Sequence, residues 1–166
     1  CFNPLNRYKS DDCVATEDCG WRKKIMQGTV HDENAYAMGG ISGHAGLFST
    51  IEDLTKYMDA WCDYLGELSL EEEVHRIIEN KGDNQNLPNF TLGWRIAPSL
   101  EFSGAGNYKG AFGHTGYTGT SLWFDPKKKT SIIVLNNRVH PTRLETDGFI
   151  RNFRENVHNY FLESTE

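Results

Sequence analysis

Residues 113–125, Gly-His-Thr-Gly-Tyr-Thr-Gly-Thr-Ser-Leu-Trp-Phe-Asp, hold the residue types and spacing best suited to chemistry. Glycine recurs at 113, 116 and 119 beside a strand-like run. That much glycine lets a backbone come close to whatever binds there. His114, Thr115 and Thr118 bring polar side chains to the same place. A histidine titrates near neutral pH, so His114 can orient a carboxylate or assist a proton transfer. The expectation is an edge strand, Thr115 to Thr118, that pairs with an extended ligand through its main-chain groups, with Gly116 leaving room for the approach. No obvious nucleophile accompanies it.

Other candidates carry less. His31, Asp32, Glu33 and His44 could be imagined as metal ligands, but their spacing fits no common zinc pattern. Hydrogen bonding around a glycine-rich loop is favoured for them, with His31 and Asp32 bordering a pocket in the complete protein. Neither metal nor cofactor is expected. Arg138, His140 and Arg143 follow the last strand and read as caps for the turn into a final helix. Trp94 and Trp123 alternate within strands, as core or pocket-wall residues do. Cysteines fall at 1, 13, 19 and 62 without C-x-x-C spacing. Cys13 and Cys19, in a polar loop, could pair in an oxidising compartment, and Cys62 reads as a core residue.

The elements that must position these residues come from one domain's length of chain, 166 residues with 38% apolar and 24% charged. A net charge of −6 argues against nucleic-acid binding, and the single basic run, Lys127-Lys128-Lys129, reads as a solvated turn after Asp125-Pro126. No apolar stretch has membrane-spanning length, and no Walker-type phosphate loop occurs. The chain begins at Cys1, and a cleavage boundary is preferred there over a lipoprotein start.

Residues 1–28 read as an irregular surface segment with one short helix over 21–26. Residues 29–48 are turn-rich, with a short helix over 33–38. A longer helix follows Ser49, where Glu52 completes a capping box. Ile51, Leu54, Tyr57, Met58, Trp61, Cys62 and Leu65 keep its helical period, and Gly66 is expected to end it. A second helix is expected from Ser69 to Gly82, then a loop over 83–89. Residues 90–97 read as a strand and 99–110 as a loop. Strands over 121–125 and 131–136 form a hairpin, and a last helix over 146–162 carries the stripe Phe149, Ile150, Phe153, Val157, Tyr160 and Phe161. The fold class is α+β: helices followed by an antiparallel sheet, with a C-terminal helix packed on it.

The run from Gly113 to Gly119, followed by strand, turn, strand and helix, resembles the end of the active-site serine β-lactamase and penicillin-binding protein superfamily, most closely its class C-like esterase and peptidase branch. The third motif there is Lys-Thr-Gly, with His often replacing Lys. Residues 43–54, Gly-His-Ala-Gly-Leu-Phe-Ser-Thr-Ile-Glu-Asp-Leu, are similar to that branch's Gly-Leu-hydrophobic-Ser-Thr-x-x-Asp-Leu signature. Leu92-Gly93-Trp94 looks like the segment before the third motif. The resemblance implies a partial β-lactamase-like domain over 29–166. It implies that the Tyr117 main-chain N–H is one oxyanion donor, that Thr115, Gly116 and Thr118 bind substrate, and that His114 takes the Lys position. Without the Lys ammonium, esterase or peptidase activity is favoured over β-lactamase.

One departure bears on mechanism. No serine has Lys three residues on, and none of the seven tyrosines has Asn two residues on. The superfamily's nucleophile and second motif are therefore absent. The chain is expected to be the C-terminal half of a bacterial serine hydrolase of esters, amides or D-amino-acid peptides, inactive without its N-terminal half. The alternatives are a non-catalytic module that binds cell-wall peptide or a protein partner, and a metalloprotein using His31, Asp32 and His44. Apolar surface left by the missing half would favour homodimerisation, and a cell-envelope or extracytoplasmic location is preferred over the cytoplasm.

Overall fold

The computed structural model describes residues 1–67, 90–91, 93–96, 111–125, 128–144 and 147–163. The helix expected from Ser69 and the loops over 83–89 and 99–110 lie outside the described residues. The chain divides into two compact units, Cys1–Thr50 with Asn136–Thr146, and Ile51–Leu135 with Asp147–Glu166.

In the first unit, residues 1–28 are not irregular. Two 3-10 turns, Pro4–Asn6 and Ser10–Asp12, lead into strand β1 (Ala15–Cys19), which pairs antiparallel with β2 (Lys24–Gln27). The expected helix over 21–26 is instead a turn through Lys23, at φ 53°, followed by β2. The reason is Glu17. It faces inward with Cys19, so a charged residue holds a core position and hides the period-two pattern of β1. Helix α1 (Glu33–Ala37) forms where expected. Asp32 caps it, accepting the Ala35 N–H at 2.8 Å, and Glu33 in its first turn suits the helix dipole. Cys13 and Cys19 are free thiols rather than a disulfide. Burial, helped by the negative charge of Asp12, pushes the Cys13 thiol above its usual range.

In the second unit, helix α2 (Ile51–Glu67) runs through Gly66 rather than stopping there. Among the described residues a five-stranded antiparallel sheet has the order β3 (Phe90–Thr91), β4 (Trp94–Ile96), β5 (Phe112–Thr115), β6 (Ser121–Asp125), β7 (Thr130–Val134). Where one strand is expected over 90–97, the described residues form two, Phe90–Thr91 as β3 and Trp94–Ile96 as β4. The chain reverses at Gly93, whose φ of +89° suits glycine in a tight turn.

Neighbouring residues on a strand face opposite ways. Phe112 and Phe124, paired across β5 and β6, pack with Met58 of α2 and with Trp61, Trp94, Leu122 and Ile133. Ring centroids run 5.8 Å from Trp61 to Trp94, 5.7 Å to Phe112 and 5.4 Å to Phe124, the separations of favourable edge-to-face pairs. The two fully buried rings, Phe112 and Phe124, each contribute on the order of 2 kcal/mol. An exposed pair such as Lys56–Asp53 adds little beside that.

Trp123 points to the other face, toward His158 of the last helix, α3 (Asp147–Glu163), with ring centroids 6.4 Å apart. The fold is α+β with a C-terminal helix packed on the sheet, but the expected apolar stripe is displaced. Ile150, Arg154 and His158 form the buried face at four-residue spacing, while Phe149 (71% exposed), Phe153, Tyr160 and Phe161 face outward. Two inward-facing residues with polar side chains shifted the face away from the aromatic positions. Among the described residues no helix is long and apolar enough to cross a membrane.

Candidate functional site

The glycine-rich run forms the end of β5 and its connection to β6. β5 is not an edge strand: it pairs with β4 through Arg95↔Gly113 and Ile96↔Phe112, and with β6 from Phe112↔Phe124 to Thr115↔Ser121. The β6 ladder stops at Thr115. Beyond it the Gly116 N–H donates to the Thr120 carbonyl at 2.7 Å, and the Gly119 N–H donates to the Gly116 carbonyl at 3.1 Å. Residues 116–119 are thus a β-turn, with Tyr117 and Thr118 at its two central positions. Thr118, expected on a strand, sits in this turn, and Tyr117 is 57% exposed there.

The glycines serve packing more than ligand access. A Cβ on Gly113 would stand 2.2 Å from the Leu122 carbonyl oxygen and 2.5 Å from the Trp123 ring. One on Gly116 would meet Thr120 Oγ1 at 2.3 Å. The room expected at Gly116 for a substrate is filled by the Thr120 hydroxyl.

His114 is exposed and lies, by strand alternation, on the face of Phe112. Its Nδ1 is 2.9 Å from the Thr115 carbonyl, which can only accept, so Nδ1 carries the hydrogen and the neutral ring has its lone pair on Nε2. Sequence reasoning missed the residue that holds this turn. Arg154 of α3, 5% exposed, donates from Nη2 to the carbonyls of Gly116 (3.0 Å), Gly119 (2.7 Å) and Thr120 (2.9 Å), and from Nε to Gly119 (3.1 Å). The available signal was an arginine four residues after Ile150, in the middle of a buried helical stripe.

The remaining candidates belong to the other unit and have structural partners. Glu17 accepts from Arg143 through Nε at 2.6 Å and through Nη2, and lies 3.0 Å from His31 Nε2. Arg143 also donates to Glu33 at 2.8 Å. Arg143 therefore does not cap the final helix, and His140 Nδ1 bonds the Thr16 carbonyl at 3.0 Å instead. The Arg143 hydrogen bonds hold the Glu17 and Glu33 carboxyls below the usual range, with His31 adding to the effect on Glu17, and these carboxylates hold Arg143 well above its own. Among the described residues no three His, Cys, Asp or Glu side chains gather as metal ligands do.

His44 Nε2 lies 3.0 Å from Asp32 Oδ1, and its Nδ1 lies 2.6 Å from Ser42 Oγ. This has the donor order of a Ser-His-Asp relay. Yet Asp32 is first a helix cap. The Ala35 N–H is the main reason its carboxyl is held low, with His44 second.

A family model described as Beta-lactamase matches residues 6–154. The chain is 32% identical over 173 residues to an N-acetylmuramyl-L-alanine amidase of Bacillus subtilis (strain 168), covering 84% of this chain and 35% of that protein. It is 35% identical over 159 residues to a putative D-alanyl-D-alanine carboxypeptidase of Salmonella enteritidis PT4, and 33% identical to one of Escherichia coli K12, covering 84% of this chain and 36% of each relative. The chain thus spans about a third of the length of these curated relatives. No solved structure matches it.

Proposed function

The chain belongs to the Beta-lactamase family of serine hydrolases, and from that membership we propose that it supplies the oxyanion-side turn of a peptide or amide hydrolase whose serine is encoded elsewhere. The serine hydroxyl attacks a substrate carbonyl. The resulting oxyanion accepts from the Tyr117 N–H and from the serine's own N–H, the leaving group departs, and water hydrolyses the acyl-enzyme. His114 takes up a proton through its Nε2 lone pair to assist proton transfer, and the resulting imidazolium orients a substrate carboxylate. Thr115 and Thr118 flank the donor and contact the substrate, beside the Gly116 backbone.

The observation that carries this reading is the turn itself. A donor held in a closed β-turn is set before charge develops, and removing one such donor costs roughly 10²–10³ in rate. The amidase and carboxypeptidase relatives support a peptide from the cell wall, with D-amino acids, over a simple ester. The missing Ser-x-x-Lys and Tyr-x-Asn motifs support a chain that does not turn over substrate alone.

The test is to treat the full-length protein with a fluorophosphonate probe and map the labelled residue by peptide mass spectrometry. A labelled serine outside residues 1–166 is expected, together with hydrolysis of a peptide ending in D-Ala-D-Ala. Labelling of any serine within this chain overturns the assignment. An unlabelled protein that still binds the peptide would instead be a non-catalytic binding module.

A further inference from the structure

We propose that Arg154 is a positioning residue for the oxyanion donor: its buried guanidinium fixes and polarises the peptide group that carries the Tyr117 N–H. This rests on the reading of that N–H given above. The Gly116 carbonyl and the Tyr117 N–H belong to one planar peptide group, and it is trans, since His140-Pro141 is the cis bond found among the described residues. In a trans group C=O and N–H point opposite ways. Arg154 Nη2 holds the carbonyl end at 3.0 Å, so the N–H is directed away from α3.

The same guanidinium also grips the Gly119 and Thr120 carbonyls at 2.7 Å and 2.9 Å. The peptide plane therefore cannot rotate without breaking a charge-assisted bond. Withdrawing electron density at the carbonyl strengthens the opposite N–H as a donor, because bonds in a chain polarise one another. A buried cation behind the donor also attracts the negative charge that develops in front of it.

A mere clamp between helix and sheet predicts something different, and kinetics separates the two. In the full-length protein we compare Arg154→Lys, Arg154→Gln, Tyr117→Pro and the double variant Tyr117→Pro/Arg154→Lys. Proline is tolerated at the first central position of a turn and removes the N–H together with the phenol ring, so Tyr117→Ala, which keeps the N–H, is measured beside it as the side-chain control. The readouts are acylation rate, KM, and affinity for a boronic acid whose tetrahedral anion occupies the oxyanion position. Removing a donor outright costs roughly 10²–10³, so misaligning one should lower acylation and boronate affinity together by about 10- to 100-fold. KM should stay within about 3-fold, as expected when only transition-state binding is lost. The double variant should be no worse than Tyr117→Pro alone.

Should Tyr117→Pro slow acylation while both Arg154 variants keep wild-type acylation and boronate affinity, the positioning role is refuted and the functional reading stands. If Tyr117→Pro acylates normally, both fall. Arg154→Gln, neutral and shorter, provides the measurement if Arg154→Lys fails to fold.

Discussion

Replacing Glu17 by Gln tests how the first unit is held together. The Glu17 side chain is 9% exposed and accepts two hydrogen bonds from Arg143, with His31 Nε2 at 3.0 Å as a second partner. Removing one member of a buried pair costs about 3–5 kcal/mol, because the other charge is left behind. Three features reduce that here. Arg143 is 33% exposed and keeps Glu33 as a partner, and the glutamine carbonyl can still accept one N–H. A loss of about 2 kcal/mol at pH 7 follows.

The pH dependence has a definite sign. The folded-state carboxyl of Glu17 titrates below its unfolded value of 4.5, chiefly because Arg143 bonds the charged form. Its stabilisation is therefore complete above the unfolded value and is lost as pH falls through the folded one. Urea denaturation of wild type and Glu17→Gln should differ by about 2 kcal/mol at pH 7, and the gap should begin to close near the unfolded value of 4.5 and keep closing as pH falls through the lower folded-state one. A difference that is the same at pH 7 and pH 3, or one below about 0.5 kcal/mol at pH 7, would refute the ion-pair account.

Gly113→Ala forces a Cβ to 2.2 Å from a backbone oxygen that cannot move without breaking the sheet, so a loss of about 3 kcal/mol is expected from chemical denaturation. A loss under about 1 kcal/mol would mean that β5 and β6 are not in this register. Ser42→Ala should leave hydrolysis by the full-length protein unchanged, since Asp32 in its relay is engaged as the cap of α1. A drop in kcat beyond about 10-fold would make the relay catalytic, because general-base assistance is worth at least that much.

What was legible in the sequence, and what was not, follows from where each signal lives. α1, the start of α2 and the β6–β7 hairpin rest on local signals: a capping aspartate, a helical apolar period, and a turn between alternating runs. The third-motif resemblance survived because it depends on short contiguous residues, and the family match over 6–154 agrees with it. β1 was illegible because its inward position 17 is a glutamate, satisfied by an arginine 126 residues later. The buried face of α3 was misread for the same reason. Arg154 looks like surface until the carbonyls that receive it are known, and those belong to a turn 34 to 38 residues away. Charged residues in core positions are chosen by partners distant in sequence, so no local period reveals them.

That asymmetry also changes what the glycines mean. Their three-residue spacing looked like an opening made for a ligand, yet the space beside Gly113 holds the Trp123 ring and that beside Gly116 holds the Thr120 hydroxyl. A glycine filled by its own fold makes the connection tight, and a tight connection brings the Gly116, Gly119 and Thr120 carbonyls close enough for one guanidinium to bind all three. Larger residues at 113 or 116 would push β6 or Thr120 outward and spread those acceptors. The glycines and Arg154 are then two halves of one device, and a substitution at 116 should disturb the donor at Tyr117 through the guanidinium as much as through the turn itself.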